Sequence, residues 1–142
     1  MFRGNRVMWL AALAMVICLG ACSPKGGEVA GGEGAQAPEM PADWKVVSDF
    51  QVPAGQVKPM SENLGADLSS VRNTVYDVRG KRVQLNVLVA PNAESAEKLM
   101  AKLMSMKSAE ALLRKDLIVY EFVGQNDVLP EIAEGRRHLD SK

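Results

Sequence analysis

The chain has 142 residues, and its 17 Lys and Arg are matched by 17 Asp and Glu. That balance leaves no basic excess of the kind that nucleic acid or an anionic membrane surface selects. The only two cysteines, Cys18 and Cys22, both lie near the amino end, so the rest of the chain has no thiol for a disulfide, a zinc knuckle or a redox pair.

Arg3 and Arg6 open the chain, and Val7 to Leu19 follows without a charged residue. This run is short of the roughly 20 apolar residues that cross a bilayer. A basic start, a short apolar core and small residues after it have the layout of a secretory signal. Leu19-Gly20-Ala21-Cys22 closes the run. From Met1 to about Ser23 the chain resembles the signal peptides of bacterial lipoproteins, with "LGAC" in the place of their lipobox. The resemblance implies a diacylglyceryl group on the Cys22 thiol, cleavage before Cys22, and acylation of the new amino end. It also implies an extracytoplasmic, membrane-anchored protein. Ser23 stands where aspartate tends to mean inner-membrane retention, so for a Gram-negative source the outer membrane, periplasmic side, is implied. Cys18 would leave with residues 1–21. Loss of Arg3 and Arg6 leaves 15 basic against 17 acidic residues.

Residues 22–42 read as the lipidated cysteine and a flexible tether. Gly, Ala, Glu and Pro dominate, and such a segment buries too little apolar surface to offset its ordering entropy. About 100 residues remain, Asp43 to Lys142, the commonest size for one domain.

Within that domain the apolar period changes along the chain. Lys45 to Val52 reads as a first strand, ended by Pro53 and Gly55. Val57, Met60 and Leu64 have helical spacing, with Pro59 in the first turn and Gly65 as a C-terminal cap. "SSVRNTVYDV" and "KRVQLNVLVA" read as a hairpin around Arg79-Gly80. A two-residue loop would set Tyr76 and Thr74 toward Val83 and Leu85. A three-residue loop would pair Val75 with Val83 and Val71 with Val87. The second is preferred here because it stacks β-branched residues on one side. Val83, Leu85, Val87 and Val89 then face the core, with Gln84 and Asn86 outward.

"PNAESAEKLMAKLMSM" is the clearest helix. Asn92 can cap it. Ala96, Leu99, Met100, Leu103 and Met104 form its apolar stripe. A short helical turn follows over Ser108 to Lys115. Leu117 to Gly124 reads as a strand apolar on nearly both faces and therefore central. Asp127 can cap a last helix, with Val128, Leu129, Ile132 and Ala133 inward. Gly135 and Arg136-Arg137 suggest a loose end to it. The order β-α-β-β-α-β(-α) makes this an α+β domain. It matches the ferredoxin-like split βαβ sheet with helices on one face. In that sheet the third strand, second helix and fourth strand form a right-handed crossover. The alternative keeps a β-hairpin followed by a βαβ unit.

Residues able to carry chemistry are few. Met100, Met104 and Met106 lie within seven positions, and thioethers bind Cu(I). Met100 and Met104 also fall where the stripe needs core residues. His138 is the only histidine and has no spaced partner for zinc or for general-base work. Glu121 interrupts an apolar strand, so it marks a site or pairs with Arg72, Arg82 or Lys81. Arg79, Lys81 and Arg82 make a basic hairpin tip, able to meet phosphate or an acidic partner but usually just solvated. No phosphate loop, HExxH, GxSxG or EF-hand pattern occurs. The sequence thus reads as a lipid-anchored envelope protein with a small non-catalytic interaction domain. Its partner would be an envelope protein or a small ligand, and no cofactor is implied. The alternatives are a small-ligand or Cu(I)-binding lipoprotein, and an enzyme whose residues are scattered.

Overall fold

The computed structural model describes residues 34–142. The expected signal, the expected lipobox cysteine and the first part of the expected tether lie outside the described residues.

Five strands form one sheet: β1 (Trp44–Gln51), β2 (Ser70–Val78), β3 (Lys81–Val89), β4 (Leu112–Lys115) and β5 (Ile118–Val123). Three helices accompany them: α1 (Ala54–Leu64), α2 (Ala93–Met106) and α3 (Leu129–Asp140). The α+β class expected from the sequence is therefore present. The strand order is β1-β2-β3-β5-β4, and every neighbouring pair is antiparallel.

Neither the ferredoxin-like split βαβ arrangement nor the hairpin-plus-βαβ alternative has this strand order, and the reason is local. "LLRK" extends into a fourth strand where the sequence suggested a helical turn; only Ala109–Ala111 is helical there, as a 3-10 turn. A two-residue turn at Asp116-Leu117 then folds β5 back beside β3. The crossover from β3 through α2 thus delivers β4, and β5 fills the gap between them. β5 is central, as its apolar character requires. The other helical connection does not cross over at all. α1 leaves the end of β1 and returns the chain to the same sheet end, so β2 runs antiparallel beside β1.

The hairpin takes the shorter loop. Val78 pairs with Lys81 and Tyr76 with Val83, not Val75 with Val83. Arg79 and Gly80 both have positive φ, 53° and 83°, as a two-residue primed turn requires. Asp77 Oδ1 accepts the Gly80 N–H at 2.9 Å. This register places Tyr76 and Val78 with Val83, Leu85 and Val87 on one buried face. Turn chemistry and aromatic burial together outweighed the stacking of β-branched side chains.

Helices cover both faces, not one. On the first face α3 brings Val128 (just before it), Ile132 and Leu139 against Trp44, Tyr76, Leu85 and Phe122. Gly135 is buried there, so α3 has no loose end. Leu129 is 53% exposed and Ala133 is exposed, contrary to the inward positions expected of them. The cap residue of α3 is Val128 rather than Asp127, because a 3-10 turn over Asn126–Val128 shifts the start. On the second face Val57 of α1 and Leu99 and Leu103 of α2 pack on Val71, Leu88, Leu112 and Val119. Gly65 closes α1 at φ 65°, and Asn92 Oδ1 caps α2 by accepting the Ser95 N–H at 2.8 Å. Pro59 lies inside α1 rather than in its first turn, because the helix begins at Ala54.

Residues 34–42, which the sequence assigns to the tether, lie against the first face. Ala35 is buried; its N–H donates to Ser70 Oγ at 3.0 Å and its carbonyl accepts from Arg72 at 3.3 Å. Met40 packs on the core cluster of that face. Glu39 pairs with Lys142 at 2.7 Å, and its carbonyl lies 3.1 Å from His138 Nε2. The globular part of the chain takes this strap in.

Candidate functional site

The second face of the sheet divides into rows that follow from strand register. One row is Val71, Leu88 and Val119, buried under the helices. The next is Phe50, Asn73, Asn86, Glu121 and Leu112. Then come Ser48, Val75, Gln84 and Val123, and last Lys45, Asp77 and Arg82. Along the second row burial fades from Leu112, Glu121 and Asn86, which are buried, to Asn73 and Phe50, which are not. From there outward the face is polar and partly open, with Phe50 47% exposed and Asn73, Val75, Gln84 and Val123 half-buried. On β1 a bulge at Val47 breaks the pairing with β2, and Val46 and Val47 are exposed beside it. A bulge and a lysine on an edge strand oppose open-ended strand addition.

Glu121 sits at the inner boundary of this half-face. It pairs with none of Arg72, Arg82 and Lys81. Its Oε1 meets Lys107 Nζ at 2.6 Å, and its Oε2 accepts from Asn86 Nδ2 at 2.7 Å. Asn86 Oδ1 in turn accepts from Gln84 Nε2 at 2.7 Å. The chain Gln84–Asn86–Glu121–Lys107 runs from the half-open surface to the C-terminal end of α2. Both carboxyl oxygens of Glu121 are thus engaged, and the side chain is fixed in place. A buried pair of this kind is costly to break from one side. Sequence reasoning missed Lys107 and Asn86. The signal was present: amides at two alternate positions of a strand whose other face is apolar from Val83 to Val89.

Two residues of the basic hairpin tip are paired with acidic groups. Arg79 binds Asp43 at 2.7 Å and Glu134 at 2.8 Å. Lys81 binds Glu131 at 3.3 Å and the Asp127 carbonyl at 2.8 Å. These contacts fasten the tip to α3, to the turn before it and to Asp43 just ahead of β1. Glu131 is held below the ordinary carboxylate range, first by its own backbone N–H and then by Lys81 and Arg79, against the opposing effect of burial. Glu134 raises the Arg79 guanidinium further. Arg79 and Arg82 both remain exposed, and Arg82 has only a 4.0 Å approach to Asp77.

On α2 the stripe is Ala96, Leu99 and Leu103, with Met100 half-buried against it. Met104 is 51% exposed rather than core, and Met106 is exposed at the helix end. The drift of a 3.6-residue period carries Met104 past the packed edge. Among the described residues no three of His, Cys, Asp and Glu come together to hold a metal ion. On the first face Asp49 takes Arg72 through both carboxylate oxygens and accepts from Thr74 Oγ1 at 3.0 Å. That holds the Asp49 carboxyl below its ordinary value.

No family model, curated protein or solved structure matches this chain significantly. Among the described residues no helix is long and apolar enough to cross a membrane.

Proposed function

We propose that this chain is a bacterial lipoprotein, lipidated at Cys22, whose α+β domain is a non-catalytic interaction module of the cell envelope. For a Gram-negative source Ser23 favours the periplasmic side of the outer membrane. The address rests on the basic leader, the uncharged run and Leu19-Gly20-Ala21-Cys22. The interaction reading rests on one observation: the outer part of one sheet face leaves Asn73, Val75 and Gln84 only half-buried and Phe50 exposed. The partner class that fits is a protein, since the surface is mixed in polarity and spread over three strands.

Two measurements test this. Mass spectrometry of membrane-extracted protein should give a diacylated or triacylated Cys22 at the amino end; a retained Met1 would defeat the address. A photo-crosslinker placed at Phe50 in cells should give one adduct of defined mass that Asn73→Arg removes without lowering Tm. A crosslinker at Leu129, exposed on α3, should not give it. Equal yields at both positions would reject the open half-face as the contact surface.

A further inference from the structure

The strap fixes where the chain leaves the domain. Ala35 is held by Ser70 and Arg72, and Gly34 lies beside the Gln51 side chain. This is the sheet end that also carries the β4–β5 turn, since Ser70 pairs with Val89 and Val89 with Ile118. The hairpin tip lies at the opposite end of β2, nine residues or about 30 Å away.

Only residues 23–33 stand between Cys22 and the docked strap. Fully extended, that length reaches no more than about 45 Å. As the Gly-rich coil its composition predicts, it averages about 20 Å. A domain of this size is about 34 Å across, from a radius of gyration near 13 Å. A coil of that length would be shorter than the domain. To lay the hairpin tip on the bilayer it must stretch to about 30 Å, which a coil of this length does roughly thirtyfold less often than it stays short.

We infer that the domain presents its Ser70 and Leu117 end to the membrane surface and holds the hairpin tip and the outer rows of the open half-face away from it. The inference rests on lipidation at Cys22. The strap is then what sets orientation. Were residues 34–42 free, as composition alone suggests, the tether would nearly double and the domain would tumble.

The mature chain has no cysteine other than Cys22, so one thiol can be placed at will. Leu117→Cys and Arg82→Cys mark exposed sites at the two ends. Each lipidated full-length variant is labelled with a donor fluorophore and reconstituted in phosphatidylcholine vesicles holding a headgroup-labelled acceptor lipid. Energy transfer should be several-fold greater from position 117 than from position 82. A 20-residue Gly/Ser insertion before Glu33, which leaves the fold untouched, should bring the two values together. Equal transfer in the uninserted protein would overturn the orientation while leaving lipidation standing. A contrast that persists after the insertion would overturn the role of tether length. Protein that carries no lipid and stays off the vesicles would sink the anchor and the orientation together.

Discussion

A glycine inside α3 tests how the first face of the sheet is packed. Gly135 lies under the indole of Trp44. A Cβ there would sit 2.6 Å from Trp44 Cη2 and 3.0 Å from both Trp44 Cζ2 and Phe122 Cε1. The indole cannot swing aside, because it is buried and edge-packed on Tyr76 at 5.5 Å and on Phe122 at 6.3 Å. Gly135→Ala should gain about 1 kcal/mol of helix propensity. Overpacking against rigid rings costs about 1–3 kcal/mol and more where nothing can yield. With three contacts at or below 3.0 Å the upper part of that range applies. The net loss is then about 1–2 kcal/mol, a fall in Tm of roughly 4–10 °C for a domain of this size. Gly55, in the first turn of α1, is the control: a Cβ there meets nothing within 4 Å. Gly55→Ala should be neutral or stabilise by up to about 1 kcal/mol. Urea and thermal unfolding of both variants measure the difference. If Gly135→Ala proves as stable as the parent, or if the two substitutions shift stability by the same amount, α3 does not sit on Trp44 as described.

Lys107→Met should cost about 3 kcal/mol by urea unfolding, since it strands the Glu121 carboxylate at a buried position, and adding Glu121→Gln should restore most of it. No recovery in the double variant would mean that the pair is not the source of the loss. Ser70→Ala leaves the Ala35 N–H buried without an acceptor and should cost about 1–3 kcal/mol in a chain that includes the strap, but little in one beginning at Asp43. An equal cost in both would separate Ser70 from the strap. The Asp49 carboxyl is held below its ordinary value of 3.8 mainly by its bonds to Arg72, so its contribution is complete above about pH 4 and is lost as pH falls through the lowered folded value. Asp49→Asn should therefore cost about 0.5–1 kcal/mol at pH 7 and nothing at the acid end, a convergence that pH-dependent unfolding would show or deny.

Much of this protein is local and therefore readable in the residues. The cap of α2 at Asn92 needs only one side chain and a backbone N–H three residues on. The glycine cap of α1 at Gly65 is set by a single left-handed residue. The hairpin around Arg79-Gly80 and the central place of β5 follow from turn residues and from apolar runs. The leader and Leu19-Gly20-Ala21-Cys22 are linear signals, and the expectation of a lipid anchor rests on them alone. What tertiary structure decided is where a choice depends on residues far away in the chain. Hairpin register was one, because both loops are sterically allowed and the difference lies in which residues α3 buries. Strand order was another: a four-residue strand, Leu112–Lys115, carries too little periodicity to be seen, yet it reverses the direction in which β5 meets β3. Composition made residues 34–42 look like tether, since Ala35 and Met40 are small gains on their own. Only the groove between Ser70, Arg72 and α3 makes ordering them favourable. Glu121 and Lys107 are 14 positions apart in the chain and become a pair because α2 ends over that point of the sheet. A sequence records which groups are present, and short-range geometry follows from it. Burial and partner choice are properties of surfaces that exist only once the strands and helices have closed on one another.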